Sequence, residues 1–204
     1  CLTERYLTEK KPEKISYSSV PAGAMLKYRQ SFERQDEERF TAYLQEVQEG
    51  KEHIHCETLF PYQILRPILG NNYSLSKKTD GEDALEVLWN HLPRELGNEN
   101  AISVIDTSGS MYCCFRQDAV TPALIAISLG LYHAERCKGV FHNHFITFES
   151  APHLIEVHGT TLRDKLRYIQ SAPWGWSTNL EAVFELILRT AVEASAPQSD
   201  LPSV

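Results

Sequence analysis

Asp106, Ser108 and Ser110 place one carboxylate and two hydroxyls at alternate positions of the stretch AISVIDTSGSM, residues 101–111. Gly109 lets the chain turn tightly there, so the three oxygens can face one point. A hard divalent cation such as Mg²⁺ takes about six oxygen ligands at about 2.1 Å and keeps some of its water, a demand that these groups meet without nitrogen or sulfur. Mn²⁺ or Ca²⁺ would be held by the same donors. Because the hydroxyls are neutral, the ion would keep residual positive charge, and an acidic residue of a protein ligand could complete its shell. The alternative is a solvated turn in which Ser110 caps the next helix.

Such a loop needs a strand to carry its first residue. Residues 101–105 form a short run containing Ile and Val, bounded by Gly97-Asn98 and Thr107-Ser108-Gly109, and are predicted as a buried strand. Asp106 then falls at the strand's carboxyl end, where open α/β sheets bind ligands. A helix is predicted over 119–137 with Pro122 in its first turn, followed by strands over 144–148 and 154–157. Thr161 and Asp164 resemble a capping box ahead of Leu162, Leu166 and Ile169, and a last helix is predicted over 179–193. The alternation predicts an α/β fold with a doubly wound, mostly parallel sheet over 99–204.

Residues 1–98 read as a separate α-helical region. A helix is predicted over 24–32, and Asp36 is read as the N-cap of a second one carrying Phe40, Tyr43, Leu44 and Val47 and ending at Gly50. Pro61 opens a helix with Ile64, Leu65, Ile68 and Leu69 that closes at Gly70. A polar loop over 71–80 leads to Leu85, Leu88, Trp89 and Leu92 at helical spacing, with Pro93 just inside that helix's end and Gly97 closing the segment. No strand is predicted before about residue 99.

At 204 residues, 42% hydrophobic and 23% charged, the chain has a globular composition. No run approaches the roughly 18 apolar residues of a membrane helix. The polar N-terminal stretch is unlike a secretory signal, so the expected location is cytoplasmic, with the nucleus second. Five cysteines, with Cys113 and Cys114 adjacent, suggest reduced thiols rather than a disulfide framework. The net charge of −7 gives no general attraction to nucleic acid.

Asp106, Ser108 and Ser110 match in order and spacing the Asp-x-Ser-x-Ser loop of von Willebrand factor A domains, and the chain resembles that family in its metal-ion-dependent adhesion site. The resemblance implies a Rossmann-like fold and a threonine in a later loop facing the same ion; Thr178, in WGWSTN, stands where that residue belongs. It also implies a further strand closed by an aspartate, which would start near residues 201–204, so the domain is read as truncated at its C-terminal end. A second resemblance covers nearly the whole chain. Tyr28 with Phe32, Asp36-Glu37 with Arg39, Gly50-Lys51, Leu59 with Pro61, the Asp106 loop, Ile146-Thr147-Phe148 and Trp174-Gly175 are similar to the uncharacterised family called domain of unknown function 2828. In layout the chain is also similar to the Ro autoantigen family, in which a helical-repeat ring binds RNA and an A-type domain carries the metal loop.

The remaining chemistry-bearing residues argue less. Trp174 and Trp176 flank the loop as a partner-binding rim, or else pack the last helix on the sheet. His53, His55 and Cys56, or His133 with Cys137, are zinc-capable types, but neither set offers four ligands at a familiar spacing. His142 and His144 are read as hydrogen-bonded without a ligand role. Cys113 and Cys114 lie near the loop, and exposure decides whether they react. No Gly-x-Ser-x-Gly elbow or Walker loop is present, and Ser108 stands where an aspartyl phosphotransferase would carry a second acid. The reading is therefore a non-enzymatic, divalent-cation-dependent protein-binding domain. The alternatives are an RNA-associated scaffold resembling the Ro family, using Lys10, Lys11, Lys14, Lys27, Arg29, Arg34 and Arg39, or a structural module with a degenerate metal site.

Overall fold

The computed structural model describes residues 2–70, 74–93, 101–106, 108–113, 120–175 and 179–202. The chain divides into two compact units, Cys1–Ile64 with Lys77–Pro93, and Leu65–Ser76 with Arg94–Val204.

In the first unit a short helix α1 (Leu2–Thr8) precedes a long one, α2 (Ala22–Gln48). α2 stops where Gly50 adopts φ 73°: the Gly50 amide donates to the Val47 carbonyl at 3.0 Å and the Lys51 amide to that of Glu46 at 2.8 Å. This is a Schellman closure, and glycine takes its left-handed residue without a Cβ clash. The sequence predicts two helices meeting at Asp36, and helical geometry does break there, at φ −153° and ψ 46°, so that α2 is two helical stretches joined across a kink. The reason lies in its carboxylate. Asp36 Oδ2 accepts from the Tyr17 hydroxyl at 2.7 Å and from Arg39 Nη1 at 2.8 Å.

Arg39 also donates to the carbonyls of Pro12 at 3.0 Å and Ile15 at 2.9 Å, fastening the segment before α2 onto the bend. Tyr17 packs against Phe32, Phe40 and Tyr43 with ring centroids 5.1 to 5.4 Å apart in edge-on and tilted pairs. Beyond α2 come α3 (Pro61–Leu69), within which the division between units falls, and α4 (Glu82–Asn90). α4 packs on α2 and buries Ala84, Leu85, Leu88 and Trp89. It ends before Pro93 rather than around it, since the residue preceding a proline is disfavoured in the helical region. Gly97 lies outside the described residues.

In the second unit three strands, β1 (Val104–Ile105), β2 (His144–Thr147) and β3 (Leu154–Glu156), form a sheet in that order. β1 pairs parallel with β2, Ile105 opposite Thr147. Such a pair needs a crossover, which α5 (Pro122–Ala134) supplies. α5 opens with Pro122 after Thr121, whose hydroxyl accepts from the Leu124 amide at 3.2 Å. β2 and β3 pair antiparallel, because the short connection between them can only turn back. The described residues thus form a mixed α/β unit whose three-stranded sheet has one parallel and one antiparallel pair, so the sheet is not the mostly parallel one that the sequence predicts.

Two further helices complete the unit, α6 (Leu162–Gln170), capped by Thr161, and α7 (Leu180–Glu193), capped by Asn179. A Cβ on Gly130 of α5 would run into the Ile105 side chain, so the missing methyl sets how closely helix and strand approach. Ile146, on the other side of the pleat from Ile105 and Thr147, packs with Val183 and Leu186 of α7. α5 and α7 therefore cover opposite faces of the sheet. The outer side of α7 carries Leu180, Phe184, Leu188 and Val192, exposed apolar side chains at four-residue steps.

The Asp36 contact is open to test by urea unfolding. Tyr17→Phe leaves Asp36 with Arg39 and should lower stability by about 1 kcal/mol. Asp36→Ala removes the acceptor shared by a buried hydroxyl and a guanidinium and should lower it by about 2–3 kcal/mol. Equal, small losses for both would show that the carboxylate does not hold the bend.

Candidate metal loop

β1 delivers Asp106 at its carboxyl end, and the loop folds back on that carboxylate: the Ser108 amide donates to Asp106 Oδ1 at 2.8 Å. This Asx-type turn is what Asp two residues before a loop amide does locally. The chain then enters a 3₁₀ turn over Gly109–Tyr112, with the Met111 amide donating to the Ser108 carbonyl at 2.9 Å. The turn brings Ser108 Oγ and Ser110 Oγ to 3.2 Å from each other. Adjacent ligands of an octahedral ion with bonds of about 2.1 Å lie about 3.0 Å apart, so the hydroxyl pair already has nearly that spacing. Asp106 and Ser108 are half-buried and Ser110 is exposed, leaving the oxygens reachable from solvent. All the donors are oxygen, which suits a hard cation better than a thiophilic one.

Thr178 and Trp176 lie outside the described residues, as does Cys114. Trp174 is half-buried; its indole stacks on Phe145 at 5.8 Å and 14°, and its Nε1 donates to the Ile169 carbonyl at 3.2 Å. Those contacts belong to packing between the sheet and α6. His142 and His144 each place Nδ1 within 2.8 Å of a backbone carbonyl, of Cys137 and His142 respectively. Cys113 is exposed and Cys137 buried, and burial pushes the Cys137 thiol up.

Glu149 is the acidic residue that spacing did not single out. The Phe148 amide donates to the Ile105 carbonyl at 3.0 Å, so the chain leaves β2 beside the point where Asp106 leaves β1. The Glu149 side chain is only 14% exposed, with Oε1 accepting from the Thr147 hydroxyl at 3.1 Å and lying 3.1 Å from His153 Nδ1. A Cβ on Gly175 would collide with it, so glycine is what lets the chain after Trp174 come this close. The strand-end rule, applied to β2 as well as to β1, would have found Glu149.

In the first unit the basic residues are largely neutralised. Arg34 pairs with Asp80 at 2.6 Å, Arg39 with Asp36 at 2.8 Å, Lys11 with Glu9 at 3.0 Å and Lys27 with Glu4 at 3.8 Å, while Arg29 is buried.

The family model described as domain of unknown function DUF7788 matches residues 100–201, half of the chain. The chain belongs to this family. The DUF7788 portion contains the whole loop, Trp174 and Glu149. The model described as domain of unknown function DUF2828 matches residues 1–101, so that likeness stops where the DUF7788 match begins rather than running the length of the chain. An uncharacterised protein of Acanthamoeba polyphaga mimivirus is 28% identical over 199 residues, 89% of this chain and 32% of its own length. The chain thus spans about a third of that curated relative. No solved structure matches. No described helix is long and apolar enough to cross a membrane.

Trp174→Ala discriminates packing from display at the rim. Loss of the stacked ring and its hydrogen bond should lower the unfolding free energy by about 2–3 kcal/mol. A variant as stable as the parent would free the indole for recognition.

Proposed function

We propose that the DUF7788 portion is a divalent-cation-dependent protein-binding module of von Willebrand factor A type, without enzymatic activity. Asp106, Ser108 and Ser110 would hold Mg²⁺, or Mn²⁺ or Ca²⁺ in its place, with Thr178 as the ligand from the later loop. The observation that carries the reading is the Ser108–Ser110 hydroxyl pair, 3.2 Å apart beside a carboxylate at the end of a parallel strand. Helices on opposite faces of the sheet and an antiparallel edge strand are compatible with it.

An ion held by one carboxylate and neutral hydroxyls keeps net positive charge, so the ligand class is a protein presenting an Asp or Glu side chain at its surface. Trp176 would contribute to the rim around that contact, while Trp174 packs between the sheet and α6. The reading as an RNA scaffold draws less support, because the arginines it needs are buried or paired with acids, which reduces the counterion release that drives such binding. A structural module with a degenerate loop remains the outcome if no cation binds.

Isothermal titration of the chain with Mg²⁺ and Mn²⁺ should show a binding event that Asp106→Ala abolishes and that Ser108→Ala with Ser110→Ala weakens at least about tenfold. Far-UV circular dichroism checks that the variants fold. An Asp106→Ala protein that binds the ions as the parent does would remove the assignment.

A further inference from the structure

The segment His53-Ile54-His55-Cys56-Glu57 lies in the first unit, outside any helix or strand, and its side chains alternate. Ile54 and Cys56 are 1% and 3% exposed, while the side chains of His53, His55 and Glu57 are 63%, 43% and 52% exposed. That period of two is what an extended backbone imposes. Cys56 and the backbone at His53 are anchored. The Cys56 thiol donates to the His91 carbonyl at 2.8 Å, and the Tyr43 hydroxyl donates to the His53 carbonyl at 2.8 Å. The Cys56 sulfur thus faces the interior, bonded to the His91 carbonyl, and is turned away from the solvent-exposed imidazoles.

The outward face gathers three donors instead. His53 Nε2 lies 3.1 Å from Glu57 Oε1, His55 Nδ1 lies 3.7 Å from Glu57 Oε2, and one ligand atom from each of the three residues falls within 4.8 Å of the others. The imidazoles meet edge-on at 4.8 Å. The Cys56 amide donates to Glu57 Oε2 at 3.1 Å and orients the carboxylate towards them. Tetrahedral zinc with bonds of about 2.0–2.1 Å separates its ligands by about 3.3 Å. Each imidazole faces a different oxygen of the Glu57 carboxylate, and rotation of these exposed side chains would bring one donor atom of each residue from within 4.8 Å to that spacing.

We propose that His53, His55 and Glu57 form a zinc site on the surface of the first unit, with water in the fourth position. Two imidazoles and a carboxylate favour Zn²⁺ over the hard cations suited to the Asp106 loop. The two sites therefore select different ions and can be tested separately. Glu57 takes the place that the sequence had offered to Cys56.

Titration of the chain with Zn²⁺ against a chromophoric chelator should reveal a site that His53→Ala and His55→Ala each weaken at least about tenfold. Cys56→Ser and Asp106→Ala should each leave it within about twofold. Co²⁺ should give visible tetrahedral absorption that the double variant His53→Ala/His55→Ala loses. If an alanine variant does not fold, as circular dichroism would show, His53→Gln and His55→Gln give the same readout. Undiminished Zn²⁺ uptake by the double variant, or no uptake by the parent at millimolar Zn²⁺, would overturn the proposal.

Discussion

Two parallel neighbouring strands cannot be joined by a tight turn, and the second unit is organised by that constraint. β1 and β2 run the same way, so the chain must leave the end of β1, cross over through α5 and return to the start of β2. The carboxyl ends of the two strands then lie side by side, bringing Asp106 and the turn after Phe148 to one edge. Gly130 lets α5 press close to Ile105, and α7 covers the opposite face through Val183 and Leu186. The loop chemistry depends on this edge, since Asp106 emerges there with its carboxylate already engaged by the Ser108 amide.

The first unit solves a different problem. A helix of 27 residues has to bend around an aromatic cluster, and the bend is concentrated at Asp36. Arg39 is 45% exposed at its side chain, so its charge is partly screened. Its contribution is therefore geometric: one planar guanidinium satisfies Asp36 and two carbonyls of the preceding segment.

Local signals were the legible ones. Pro122 after Thr121, Thr161 with Asp164, and Asn179 mark helix starts that the structure places within three residues of the predictions, since a cap acts within one turn. The short apolar runs marked where the strands lie, although of the buried strand predicted over 101–105 only Val104–Ile105 pairs and Val104 is exposed, and Gly50 marked the end of α2. What depended on distant partners was not legible. Asp36 read as a cap because its neighbours in sequence suit one, whereas its carboxylate is claimed by Tyr17, nineteen residues away. Glu149 and Glu57 acquire their surroundings only when a strand end or an extended segment is placed. The antiparallel return of β3 follows from the length of a connection, which the alternation of strands and helices did not weigh. In the candidate loop, the closeness of the Ser108 and Ser110 hydroxyls follows from their spacing of two in a tight turn, while the inward stacking of Trp174 needed Phe145 to be located.

The inward turn of Cys56 has a consequence for oxidative chemistry. Burial pushes the Cys56 thiol above its ordinary range and so disfavours the thiolate, which is the form that attacks peroxide and disulfides. Buried beneath two solvent-facing imidazoles, the sulfur is also shielded from encounter. The segment thus keeps its sulfur and its imidazoles on opposite sides of one strand of chain. Oxidants reaching that surface meet nitrogen and oxygen first, and Cys113, exposed on the other unit, is the thiol they would modify sooner.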